Sequence, residues 1–174
     1  MRYVILVLTF VFVSCSNKPT LQKYFVENSE STEFFAIDIA PSILKTDALT
    51  LTNEESAALE AFKKMNILAF KKDSINDDKY KSEITKVNTI LKDEQYESLI
   101  KYGSNTNGAA IYFAGETDKI DEFVLVANQT ETGFAIVRIL GDDMDVNHVM
   151  TLFQLLQKSN VDMEQLKPLQ QFMK

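Results

Sequence analysis

The densest cluster of groups able to do chemistry is the stretch "GDDMDVNH", Gly141 to His148. Asp143, Asp145 and Asn147 fall at positions one, three and five of an EF-hand-like loop, where alternating oxygens would converge on a hard cation. The pattern then breaks. Position six is His148 where the sharp turn needs glycine, and position twelve is Gln154 where a bidentate glutamate closes the shell. Aspartates here read better as helix caps that complement the positive end of a helix dipole, and no metal is expected. His148 is the sole histidine, so a two-histidine zinc site cannot be built, and HExxH does not occur. A lone general base beside a carboxylate remains conceivable, but a surface histidine in a first helical turn is the plainer reading.

Arg138 interrupts an apolar run between Val137 and Ile139. Its planar fork suits a carboxylate or phosphate, which makes it a candidate ligand anchor. The competing reading pairs it with an acid on a neighbouring strand or points it to solvent. The polar loop "GSNTNG", Gly103 to Gly108, places Asn105 and Asn107 as further candidate binding residues, because exposed loops often carry recognition; otherwise it is a hairpin connection. All five glycines lie in the second half of the chain and none forms GxGxxG or a Walker loop, so no dinucleotide or nucleotide cofactor is expected. A hydrolase working from two carboxylates is a third class, but 25 acidic residues select no pair.

The only cysteine, Cys15, sits in "LTFVFVSCSNKP". It follows one positive charge at Arg2 and an uncharged run from Val4 to Val13. That run is shorter than the roughly 20 apolar residues needed to span a bilayer. A charged start, a short apolar core and a small residue form the pattern of a secretory signal. With Ser14 as the small residue, "FVSC" resembles the lipobox of bacterial lipoproteins, with Phe12 standing where leucine is commonest. The resemblance implies cleavage between Ser14 and Cys15 and acyl chains of the palmitate class on the cysteine. The other readings of Cys15 are a buried structural thiol or a redox thiol, but no second cysteine accompanies it. One acyl chain binds membranes only reversibly, whereas two or more anchor stably. Ser16 to Pro19 form a tether of roughly 14 Å at about 3.5 Å per residue. No aspartate follows the cysteine and no acidic run follows the tether, so the periplasmic face of an outer membrane is expected in preference to the cell surface or inner membrane.

The expected organisation is a signal peptide over 1–14, a lipidated tether over 15–19 and one domain over 20–174. Loss of Arg2 with the leader takes the formal charge from −7 to −8 and leaves Arg138 as the only arginine. That balance excludes a nucleic-acid partner.

Thr20 caps a helix "LQKYFVEN" with Leu21, Tyr24 and Phe25 on one face. "FFAIDI", Phe34 to Ile39, alternates as a strand that Pro41 ends. "TNEE", from Thr52, is a capping box that opens a helix with Leu59, Phe62 and Met65 at helical spacing. "NILAFK", Asn66 to Lys71, reads as a strand. A long helix is expected from about Ser74, as its cap, to Leu91, through Tyr80, Ile84 and Val87. "QYESLIKY", Gln95 to Tyr102, could extend a helix, but its alternation favours a hairpin with "AAIYFA". Strands follow at Glu122 to Asn128 and Gly133 to Leu140, joined by short polar turns that make neighbours antiparallel. A last long helix, capped by Asp143 or Asp145, would pack through Val146, Val149, Met150, Phe153 and Leu156, and a short helical turn around Pro168 to Met173 would close the chain. The fold class is therefore α+β: helices packed on a mainly antiparallel β-sheet in a two-layer sandwich. The central strands are apolar on both sides, which calls for partial cover on the second face by the first helix, a partner or lipid.

"LQKYFVENSESTEFFAIDIAPSIL", "MNILAFKK" and "EFVLVANQTETGFAIVRILGDDM" resemble the domain of unknown function 4252, a family of small lipoproteins of Bacteroidota. The resemblance implies a lipoprotein signal and a compact α+β domain, and brings no assigned activity or catalytic residue. The expected function is a lipid-anchored, periplasm-facing lipoprotein: a non-enzymatic interaction or envelope-sensing module held by acylated Cys15, with an envelope protein as its partner. The alternative is a small-molecule or lipid-binding domain with an apolar pocket between helices and sheet.

Overall fold

Six strands form one antiparallel sheet whose residues alternate between two separate cores. The computed structural model describes residues 18–46, 49–104, 106–161 and 167. The strands are β1 (Phe34–Ile39), β3 (Phe62–Lys71), β4 (Glu97–Gly103), β5 (Asn107–Glu116), β6 (Lys119–Gln129) and β7 (Gly133–Met144), in the order β1-β3-β7-β6-β5-β4. A minor ladder pairs β2 (Leu44–Lys45) with β8 (Asn160–Val161). The helices are α1 (Leu21–Asn28), α2 (Asn53–Ala61), α3 (Asp77–Ile90) and α4 (Val146–Lys158). Among the described residues no helix is long and apolar enough to cross a membrane.

Strand side chains change faces at every residue, and here both faces are apolar. From β7, Phe134 and Ile136 enter a core closed by α1 and α3, while Val137 and Ile139 enter one closed by α2 and α4. β6 divides in the same way, with Val124 and Val126 against Phe123 and Leu125. The α+β class and the antiparallel sheet are as expected from the sequence. The layering goes further than the two-layer sandwich anticipated there: helices cover both faces, giving three layers. The first core is aromatic at its centre. Phe70 and Phe134 stack at 5.6 Å with rings 7° apart, and Phe34 meets Phe70 edge-on at 5.1 Å.

Thr20 caps α1 by accepting from the Lys23 amide, and Leu21, Tyr24 and Phe25 are buried. The Thr52–Glu55 capping box is present in full. The helix it opens is shorter than expected, ending at Ala61, and Phe62 already belongs to β3. A bulge between Phe62 and Lys64 explains the misreading. An extra residue in a strand restores the same face after three positions, so Phe62 and Met65 share the second core while imitating helical spacing.

Two further boundaries differ. Ser74 does not cap α3: Asp73 and Asn76 close a turn by exchanging side-chain and backbone hydrogen bonds, and the helix begins at Asp77. β7 runs on through Gly141 to Met144, so of the two aspartates proposed as caps only Asp145 serves α4.

The hairpin reading of 95–102 holds, with β4 paired to β5 from Glu97↔Phe113 to Gly103↔Gly108. β4 is an edge strand with all seven residues exposed and a bulge between Ser98 and Ile100. The turn expected around Pro168 to Met173 lies outside the described residues.

Candidate functional site

Among the described residues four charged side chains are buried, Glu122 and Arg138 on the sheet and Glu55 and Glu83 on helices, and each has a partner. Arg138 projects from β7 into the first core beside Ile136 and is 4% exposed. Its Nε donates to Glu122 Oε1 at 2.6 Å and its Nη2 to Glu122 Oε2 at 3.1 Å, from the adjacent strand β6. Nη1 donates to Gln22 Oε1 on α1 at 2.8 Å, and the guanidinium lies 5.2 Å from the centre of the Phe25 ring. The fork is thus used up inside the protein. Pairing with an acid on a neighbouring strand, one of the readings of Arg138, is what the structure contains. The nearby Tyr96 hydroxyl is pushed up to about 12 by burial, with the Glu122 carboxylate adding to the effect.

Glu83 of α3 is 1% exposed. It accepts from the Tyr24 hydroxyl at 3.0 Å and from Lys86 Nζ at 2.7 Å, which fastens α1 to α3. Burial, followed by the charge of Glu83, pushes the Tyr24 phenol far above its usual range.

On the opposite face Glu55 closes the α2 capping box and also receives Lys158 Nζ at 2.6 Å, tying the start of α2 to the end of α4. The Lys158 contact holds its carboxyl below the usual carboxylate range. Asp77 and Asp93 are lowered in the same way by Lys72 and Lys18. A carboxylate with a lowered folded pKa contributes its full stability above the unfolded value of about 4, and loses it as pH falls through the folded one. The urea midpoint is therefore expected to be level from pH 7 to 5 and to drop steadily below pH 4. Glu55→Gln should lower the midpoint at pH 7 and make the acid fall shallower. A wild-type midpoint unchanged at pH 3 would refute this.

The acidic stretch resolves as a cap. Asp145 Oδ1 accepts from the His148 amide at 2.8 Å, and His148 Nδ1 accepts from the Asp145 amide at 3.2 Å. His148 thus fills the place usually held by glutamate in a capping box. Asn107 is likewise engaged: its Oδ1 accepts from the Thr130 amide at 3.0 Å, joining the β4–β5 turn to the β6–β7 turn. The Gly103 to Gly108 segment is thus a hairpin connection braced by its neighbour. Asn105, and with it Ser14 and Cys15, lie outside the described residues.

What the sequence reading missed is on the α4 side. Val149, Leu152 and Leu155 are the buried residues of that helix, whereas Met150 is 56% and Phe153 39% exposed. The expected packing face is therefore corrected by about one residue's rotation. The apolar residues of α4 cover more than half its circumference, so spacing alone did not select the buried strip. α4 runs closest to α2, and between α4 and the sheet lies a cavity of about 180 Å³ with no polar surface. Ile67, Leu125 and Val137 form its floor, and Leu152, Phe153 and Leu156 its helical wall. Alternating apolar residues on both faces of β3, β6 and β7 were the signal in the sequence that could have pointed to it.

No curated protein matches the chain, and no solved structure does. A family described as a domain of unknown function, DUF4252, matches residues 24–152, from Tyr24 in α1 to Leu152 in α4, and so takes in all six strands of the sheet, most of both cores and the Arg138–Glu122 pair. The architecture and the match agree with the resemblance carried by the strand–turn–strand segment ending at Gly141-Asp142, and the chain belongs to the DUF4252 family.

Proposed function

We propose that this chain is a lipid-anchored lipoprotein, acylated at Cys15, whose domain serves as a non-enzymatic interaction or sensing module at the periplasmic face of an outer membrane. The observation that carries the reading is how soon the fold begins after the cysteine. Lys18 already forms an ion pair with Asp93 at 2.6 Å, and α1 starts at Leu21. From Cys15 to Lys18 the chain can reach only about 10 Å at roughly 3.5 Å per residue. Such a domain would be carried against the bilayer, where acyl chains on the cysteine would hold it. The interaction role draws support from the buried Arg138, Glu122, Glu83 and Glu55, each occupied in holding elements together.

Mass analysis of the N-terminus from native membranes tests the anchor. A chain beginning at acylated Cys15 is expected, and Cys15→Ala should move the protein from the membrane pellet to the soluble fraction. A wild-type chain that is unacylated, begins elsewhere and diffuses freely would refute the proposal. Crosslinking in intact envelopes tests the module: a reproducible protein partner is expected, and its repeated absence would count against the interaction role.

A further inference from the structure

The cavity between α4 and the sheet has a size, a lining and an entrance that together specify a ligand. Native interiors are packed nearly as densely as organic crystals and leave few voids larger than a water molecule. Between α4 and the sheet that packing is incomplete, leaving a partly open apolar pocket of about 180 Å³. It contains no polar surface, so water inside it finds no hydrogen-bond partner on the protein. An apolar cavity of roughly 150 Å³ in another protein stays dry and takes up benzene, which sets the scale here at about six to eight carbons. The lining on α4 extends from Val149 to Leu156, about 10 Å at 1.5 Å per residue. An extended chain of about six to eight carbons could lie along the helix over that length. Phe153 both lines the slot and is 39% exposed, and Met150, one helical turn back from the far wall, is 56% exposed. These two mark an apolar threshold through which a chain could enter while its polar end stays in water.

We propose that this slot binds a linear aliphatic chain, such as the end of a fatty acyl chain, inserted between α4 and the floor formed by Ile67, Leu125 and Val137. The proposal is independent of the tether: an unacylated Cys15 would leave it intact, and failure of chain binding would leave the anchor standing.

The test uses Ser16 to Lys174, which retains every described residue, with 13C-labelled methyl groups and 1-octanol as the probe. Saturable shifts are expected at Ile67, Leu125 and Val137, with Val124 and Ile136 on the opposite face unmoved. Val137→Phe, which fills the floor, should weaken octanol binding at least tenfold while leaving the opposite-face methyls in place. Leu156→Phe serves as a second filling variant should the first disturb that core. Phosphatidylethanolamine vesicles then separate the sources. The same shifts with vesicles would identify a membrane acyl chain as the ligand, and shifts with octanol alone a free one; both support the site. Failure to saturate, shifts spread evenly over both faces, or unchanged affinity in both filling variants would overturn it.

Discussion

Replacing Arg138 with Met, or Glu122 with Leu, is expected to destabilise the fold by about 3–5 kcal/mol, because each single change strands the other charge in a dry layer. The pair is bidentate, with contacts of 2.6 and 3.1 Å, and lies beneath α1 with Gln22 and Phe25 over it. A domain's whole stability is only about 5–15 kcal/mol, so either variant should be substantially unfolded in mild urea. The double variant Arg138→Met/Glu122→Leu should recover most of the loss, since apolar residues of similar volume often replace a buried ion pair at little cost. Gln22 can accommodate the change because it sits on the solvent side of α1. Urea midpoints of the wild type, both singles and the double decide the matter. A double variant no better than the worse single would mean that shape, and not uncompensated charge, governs this site.

The second large effect is expected at Phe70. Truncation to Ala removes a side chain that is 1% exposed and touches Phe34, Tyr80 and Phe134 through its ring. Phe→Ala in a core costs about 3–5 kcal/mol, combining lost transfer energy with the void left behind. Collapse into that void is hindered, because β1 and β7 flank β3 on either side and hold the neighbouring rings apart. Phe153→Ala provides the contrast. That ring is 39% exposed on α4, and its loss should cost clearly less than Phe70→Ala, about 1–2 kcal/mol. If thermal or urea unfolding gave equal losses for the two, the burial of Phe70 would not govern its contribution.

Much of this architecture could be read from the chain. Capping signals at Thr20 and Thr52 are local chemistry, and both helices start where those side chains meet the backbone. Alternation in "EFVLVAN" and "GFAIVRIL" placed β6 and β7, and even the tie between Arg138 and a neighbouring strand followed from an isolated charge in an apolar run. The misread end of α2 and the misplaced face of α4 share one cause: they depend on partners remote in sequence. Phe62 and Met65 looked helical because a bulge, stabilised by pairing with β7, imitates a three-residue step. The buried strip of α4 is chosen by its docking on α2 and by the Lys158–Glu55 contact, neither of which is visible in a window of thirteen residues. The apolar slot arises from that same docking. A helix held mainly from the side leaves space above the sheet.

The bulge in β4 has a consequence for behaviour in crowds. A fully exposed border strand carrying Ile100 and Tyr102 is an invitation to accretion. Between Ser98 and Ile100 the up-down rhythm slips by one, so an incoming strand in step with one half of β4 is out of step with the other. Lys101, lying 5.6 Å from the Tyr112 ring centre, adds a charge that a second copy would have to bury. Molecules jostling at high density can thus brush past one another along this border without zipping into fibres.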